Sequence, residues 1–189
     1  MPRPTKQQID DEILDTAAGL FARHGFKETS LQRIADTVGY SKTGLLHRFP
    51  TKEALQTAVI ARCVDRIRNT AAGVSDLPVG PERDRAVITG IAELALAQPG
   101  AVALLLSSLL NDGGPTGESA GDKPLEVVGE AISEAFGDAF LCDESRTLRV
   151  AGALGALAVG SVALRDRMTP ALTAVLVEVG YDALGHRTP

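Results

Sequence analysis

The chain has 189 residues, 44% of them hydrophobic and 23% charged, with a formal net charge of −5. That composition is ordinary for a soluble globular protein, and the length suffices for one core of moderate size or for a small N-terminal module sharing a helix with a larger one. Aromatic residues at 4% and the lack of Trp argue against a carbohydrate-binding or base-stacking surface. The charge is unevenly spread: residues 1–70 carry 11 Lys/Arg against 8 Asp/Glu, and residues 71–189 carry 8 against 16. A basic N-terminal module on an acidic body points to local contact with a polyanion.

Cys63 and Cys142 share no metal-ligand spacing, so both are expected to be reduced, buried and small, with no metal and no cofactor implied. The N-terminal run MPRPTKQQIDDEIL is polar and acidic where a signal peptide would be apolar. The longest charge-free stretches are Leu94 to Asn111, broken by Pro99-Gly100, and Val150 to Leu164, which is short of the roughly 20 residues a membrane span needs. A cytoplasmic protein without a membrane partner is expected.

In chain order, residues 5–24 read as a helix: Thr5 and Gln8 have capping-box spacing, Ile9, Ile13, Ala17, Leu20 and Phe21 form one stripe, and Gly25 stands at the C-cap. Thr29 or Ser30 caps a second, short helix in which Leu31, Ile34, Ala35 and Val38 follow helical spacing before Gly39 stops it. Ser41 caps a third with Leu45 and Phe49 on one side, and Pro50-Thr51 closes it and starts a fourth. That fourth helix carries Leu55, Val59, Cys63 and Ile67, with Ile60 and Val64 widening the apolar face, so it is covered on more than one side. The run GVSDLPVGP at 73–81 is a turn-rich connection. Helices are predicted at 82–98, 101–111, 125–139, 143–166 and 170–186, with a surface loop at 111–124. No stretch alternates like a strand, and the fold class is all-α.

Two short helices joined by a glycine turn form the unit that places its second helix in the major groove of DNA, here at about residues 30–49. At about 100° per residue, Leu45 and Phe49 face the core, and Thr43 and His47 lie opposite. Lys42, Gly44 and Leu46 flank that exposed face. A hydroxyl, a cation, an imidazole, an apolar side chain and bare glycine backbone suit groove edges and thymine methyls. Lys52, in the first turn of the fourth helix, suits a phosphate.

The run ILDTAAGLFARHGFKETSLQRIADTVGYSKTGLLHRFPTKEAL, Ile13 to Leu55, is more specific than periodicity. It resembles the signature of the TetR family of helix-turn-helix regulators at Ala17-Ala18, Leu20-Phe21, Gly25-Phe26, Thr29-Ser30-Leu31, Ile34-Ala35, Val38-Gly39-Tyr40-Ser41, Leu45, Phe49 and Lys52-Glu53-Ala54-Leu55. The resemblance covers about a quarter of the chain, and the remainder resembles the family only as a string of helices. It implies a helix-turn-helix domain over residues 1–52, with the fourth helix from 51 as connection, and a ligand-binding and dimerisation domain over 53–189. It further implies base or groove contacts from Gln32, Lys42, Thr43, Gly44 and Leu46, beside the cap Ser41. Phosphate contacts would come from Thr29 or Ser30, Arg33, His47 and Lys52. His47 stands where the family most often has Tyr, and Arg48 where it often has His, which removes the backbone contact of a Tyr hydroxyl and leaves an imidazole donor.

Residues 150–164, VAGALGALAVGSVAL, and the helix from 170 are apolar on most sides. A domain this small cannot cover both alone, so a symmetric dimer interface is expected, with Gly152, Gly155 and Gly160 permitting close approach and Leu172, Leu176 and Val179 facing the mate. The resemblance implies the same, with the last two helices pairing as a four-helix bundle, and places a small-effector cavity among the middle helices. Candidates there are Leu104 and Phe136 as apolar walls, with Leu105 and Leu109, and Ser107, Ser108, Asn111, Arg62 and Arg66 as polar groups. Sparse aromatics and few buried charges suggest an apolar ligand. His24 and His186 near helix ends read as dipole partners without a ligand.

The chain has no GxxxxGK[ST], HExxH or GxSxG motif and only three scattered His, so it is not read as an enzyme. The expected activity is regulation of transcription: binding of a pseudo-palindromic double-stranded operator by a homodimer, repression, and release by a small-molecule effector. The alternatives are an activator and a helix-turn-helix regulator controlled by a protein partner without any small effector.

Overall fold

The structure is a computed structural model that describes residues 5–111, 123–137, 142–164, 167 and 169–186, and of residues 106–111 and 123–126 the backbone only. Among the described residues the regular structure is helical and no strand occurs. The helices are α1 (Lys6–His24), α2 (Leu31–Val38), α3 (Lys42–Arg48), α4 (Lys52–Gly73), α5 (Pro81–Ala97), α6 (Pro99–Asn111), α7 (Lys123–Phe136), α8 (Glu144–Leu164) and α9 (Pro170–Ala183).

The local signals act as their chemistry dictates. The Thr5 hydroxyl accepts from the Gln8 N–H at 3.2 Å while the Gln8 side chain accepts from the Thr5 N–H at 2.8 Å, closing a capping box. Gly39, with φ 73°, ends α2 in the left-handed region and donates its N–H back to Ala35 and Asp36. Pro81 opens α5 from within the first turn, where its missing N–H costs nothing.

The apolar stripes of α1, α2 and α3 meet in one small core of Ile13, Ala17, Phe21, Ile34, Ala35 and Leu45. Helix α4 carries that core into the body without a break, because Leu55 and Val59 pack toward the N-terminal helices and Cys63, Val64 and Ile67 continue along the same cluster. In the body, α4 lies against α7, α8 against α9, and α5 and α6 contact both α4 and α8. Two glycines mark close approaches. A Cβ at Gly100 would lie 2.5 Å from the Ala18 backbone, so α6 begins directly against α1, and one at Gly160 would lie 2.6 Å from Leu176 Cδ1, so α8 and α9 press together within one chain.

Several expectations need correction. Helix α8 extends N-terminally of the apolar run to 21 residues, with mean hydropathy 1.6 over an 18-residue stretch, so it meets the length and composition of a span that the apolar run falls short of, and it packs on α5, α6 and α9. Cys142 is exposed rather than buried, because it sits just before the α8 N-terminus and not on a packed face. His186 does have a partner: its Nε2 lies 2.7 Å from Asp84 Oδ2. Arg146 donates to both oxygens of the same buried carboxylate at 2.7 and 2.6 Å. This cluster ties the chain's C-terminal end and the start of α8 to the first turn of α5, and it compensates an otherwise costly buried charge.

Candidate functional site

Helix α3 is the element with an outward polar face. The Ser41 hydroxyl caps it, accepting from the Gly44 N–H at 3.0 Å, and Leu45 is fully buried and sets its roll. Lys42, Thr43 and His47 are exposed, and Gly44 and Leu46 are half-buried beside them. A Cβ at Gly44 would lie 3.1 Å from Ser41 Oγ, so this turn is close to its cap. At the end of α3, Arg48 pairs with Asp10 of α1, which takes its guanidinium out of the outward face.

On α2, Ser30 is the cap: its hydroxyl accepts from the Arg33 N–H at 3.1 Å and stays exposed. Gln32 and Arg33 are exposed on the first turn, with Gln32 Nε2 donating to Asp36 at 2.7 Å. Thr29 is completely buried, and its hydroxyl donates to the carbonyls of Gly25 at 2.8 Å and Leu20 at 3.3 Å. Its side chain therefore ties down the C-terminus of α1, and of the pair Thr29 and Ser30 only Ser30 is available to a polyanion.

Lys52 is engaged as well. Its Nζ donates to the Phe26 carbonyl at 2.8 Å and the Lys27 carbonyl at 3.2 Å, and lies 4.4 Å from the Phe26 ring centroid. Of its three donors, two hold the turn between α1 and α2, and one remains for a phosphate.

A second feature lies in the body. A cavity of about 300 Å³, open on one side, is lined by Cys63 and Ile67 of α4, the end of α5, the start of α6, Val128 and Ile132 of α7, and the Ala151 to Ala158 stretch of α8. Of the residues proposed from sequence, Leu104 and Phe136 are buried in the core and do not line it, whereas neighbouring Leu105 does. Arg62 turns toward α1, where it donates to the Asp11 carbonyl at 3.0 Å and pairs with Asp11 and Asp15, and Arg66 is exposed. Ser107, Ser108 and Asn111 lie outside the residues whose side chains are described. The further walls Ile91, Leu94, Leu154 and Leu157 are not singled out by sequence, because only the pairing of helices reveals the gap between them.

A third feature is the outer face of α8 and α9. Val159 is 60% exposed, Val175 56% and Val179 48%. Gly152 shares this exposed character, and Leu172 is half-buried. Gly155 instead lines the cavity, and Gly160 and Leu176 face each other inside the chain. The small-residue pattern thus serves α8·α9 packing as much as any outer contact.

Residues 13–59 match the family model described as bacterial regulatory proteins, tetR family. The segment is 47% identical over 53 residues to the HTH-type transcriptional regulator RutR of Escherichia coli K12, covering 28% of this chain and 25% of that protein. It is 37% identical over 54 residues to the HTH-type transcriptional repressor KstR2 of Rhodococcus jostii RHA1, covering 29% and 26%. The matched segment spans about a quarter of the length of these curated relatives. Over the whole fold the chain is similar to the crystal structure of a TetR-like transcriptional regulator from Rhodococcus sp. RHA1, with TM-score 0.64, 19% identity and coverage of 98% and 100% of the two chains. It is similar also to AmtR of Mycobacterium smegmatis, with TM-score 0.64, 25% identity and coverage of 100% and 92%. The first of these likenesses establishes the fold, and the N-terminal match carries the residues that present α3. Residues 13–59 are thus a DNA-binding segment of the tetR-family type, and the chain as a whole shares the fold of solved TetR-like regulators.

Proposed function

We propose that the protein is a cytoplasmic transcriptional repressor that binds a pseudo-palindromic double-stranded operator as a homodimer and is released by a small-molecule effector. The observation that carries DNA binding is α3 itself: a capped helix held by buried Leu45 that turns Lys42, Thr43 and His47 to solvent, with Ser30, Gln32 and Arg33 beside it for the backbone. The reading head is residues 1–52, and residues 53–189 form the ligand-binding and dimerisation domain. Repression is supported by the similarity of the N-terminal segment to KstR2, a transcriptional repressor. The effector reading rests on the apolar cavity, and the dimer on the exposed valines of α8 and α9. Nothing in this reading calls for catalysis.

Selection of bound fragments from a random DNA pool, followed by sequencing, tests it. The expected product is an inverted repeat with half-site centres about 34 Å, one helical turn, or a multiple apart. Recovery of fragments without any common sequence would remove the operator reading.

A further inference from the structure

We propose that the cavity of the body selects an uncharged, largely aliphatic molecule of about twelve carbon atoms. This deepens, and rests on, the effector reading of the same cavity. Size comes first: an engineered apolar cavity of about 150 Å³ takes benzene, and about 300 Å³ is twice that.

The walls decide the chemistry. Among the described residues the lining is aliphatic or glycine, represented by Ile67, Leu94, Val102, Ile132 and Leu154, with Cys63 as the one side chain bearing a heteroatom. No aromatic ring or carboxylate lines it among the described residues, so a cation would find neither a counter-charge nor a π-face there. The two arginines that sequence offers as counter-ions for an anion are placed elsewhere. Arg62 is committed to Asp11 and Asp15 on α1, and Arg66 points to solvent.

Cys63 reports the balance of these forces. The charges of Arg66 and Arg62 pull its thiol toward ionisation, yet burial outweighs them and pushes it up to about 11. A site that keeps its own thiol neutral against two nearby cations penalises a ligand's charge in the same way. The thiol S–H remains as one weak donor, enough to orient a hydroxyl or carbonyl oxygen but not to replace the hydration of a carboxylate.

Calorimetric titration of the full chain with 1-decanol, decanoate and decyltrimethylammonium, without DNA, tests the inference. At pH 7.5, decanol should bind at least about 100-fold more tightly than decanoate, because a carboxyl with an ordinary value near 4.3 must enter protonated. Decanoate affinity should then rise about tenfold for each pH unit lowered toward 5, and decyltrimethylammonium should not bind. Ala158→Leu, which puts three further carbons into the cavity wall, should weaken decanol at least about tenfold. Decanoate matching decanol without pH dependence, failure of decanol to bind, or indifference of decanol to Ala158→Leu would each overturn the proposal. Decanol that binds as expected but leaves operator affinity unchanged overturns the effector reading instead and leaves the ligand class standing.

Discussion

The ammonium of Lys52 lies 2.8 Å from the Phe26 carbonyl oxygen and 4.4 Å from the centroid of the Phe26 ring, so one side chain pins the start of α4 to the turn that ends α1. This contact closes the reading head on itself. Lys52→Ala should therefore lower stability without DNA by about 1 kcal/mol, the order of a partly exposed cation–π contact whose accompanying hydrogen bonds are largely replaced by water in the unfolded chain. For a chain of this length that is a fall of about 2–4 °C in Tm. Operator and non-specific DNA should both bind more weakly. An unchanged Tm with a salt dependence reduced by one unit would mean that Lys52 acts on phosphate alone.

Thr43 is exposed on α3 and holds nothing in the fold. Thr43→Ala should leave Tm unchanged and alter discrimination among half-site variants by about 5- to 100-fold, the range of one base-edge contact. Arg33→Ala should instead weaken all sequences equally and reduce the salt slope by about one. If the two variants lose affinity in the same sequence-independent way, this division of roles is wrong.

Much of the reading head was legible in sequence because its signals are local. A cap, a stripe at i, i+3, i+4 and a stop glycine fix α2 and α3 within a few residues of one another, and Ser41, Leu45 and Gly39 act as their types require. What sequence could not show is where a side chain goes once two elements meet. Thr29 and Lys52 have the chemistry of phosphate ligands, but Thr29 is spent on the α1 carbonyls and most of Lys52 on the following turn. Arg62 and Asp15 stand 47 positions apart, so their pairing depends on how α4 crosses α1. The cavity has the same origin: its walls are ordinary core residues from five helices, and a gap among them has no sequence signal.

The outer faces of α8 and α9 give the cleanest test of the dimer. Glu at Gly155 or Leu176 would break the subunit itself, since the first lines the cavity and the second packs on Gly160. Val159→Glu and Val179→Glu charge side chains that are solvent-exposed in one chain. Each should yield folded monomers with unchanged helix content and operator affinity reduced at least about 100-fold. Sedimentation of the unaltered protein as a monomer at micromolar concentration would end the dimer reading.

Cys63 should make stability fall at alkaline pH. Its folded-state value is raised from 9.0 to about 11 by burial, so above pH 9 the unfolded chain loses the proton first and the folded chain still holds it. The contribution is fully present below pH 9 and is lost as pH rises toward 11, by up to about 1.4 kcal/mol per unit. Cys63→Ala should flatten that part of the profile. At pH 8 a thiol reagent should label exposed Cys142 first and Cys63 only slowly. Equal labelling rates for the two would contradict a buried, neutral Cys63.

Coupling between the cavity and the operator should run through α4. Cys63 and Ile67 wall the cavity, Arg62 on the same helix grips Asp11 and Asp15 of α1, and Lys52 at its start holds the α1–α2 turn. Gln98, at the elbow between α5 and α6, donates to the same Asp15 at 2.9 Å, so two walls of the cavity meet on one carboxylate of the reading head. At 1.5 Å per residue, the 22 residues of α4 span about 33 Å. A tilt of a few degrees about the cavity therefore moves the Lys52 end by about an ångström, and in a dimer both recognition helices must keep their spacing of about 34 Å. Linkage makes the effect reciprocal: an inducer should bind free protein about 10- to 100-fold more tightly than operator-bound protein, a coupling of about 1–3 kcal/mol. Arg62→Ala, outside the cavity, should bring that ratio toward one while leaving ligand affinity in free protein within about twofold. The measurement is a pair of titrations of 1-decanol, or of a ligand found by thermal shift, with and without a saturating operator duplex. Equal affinities in the two titrations of the unaltered protein would show that the cavity is not linked to DNA, and a ratio untouched by Arg62→Ala would show that the coupling takes another route than the α4–α1 ion pairs.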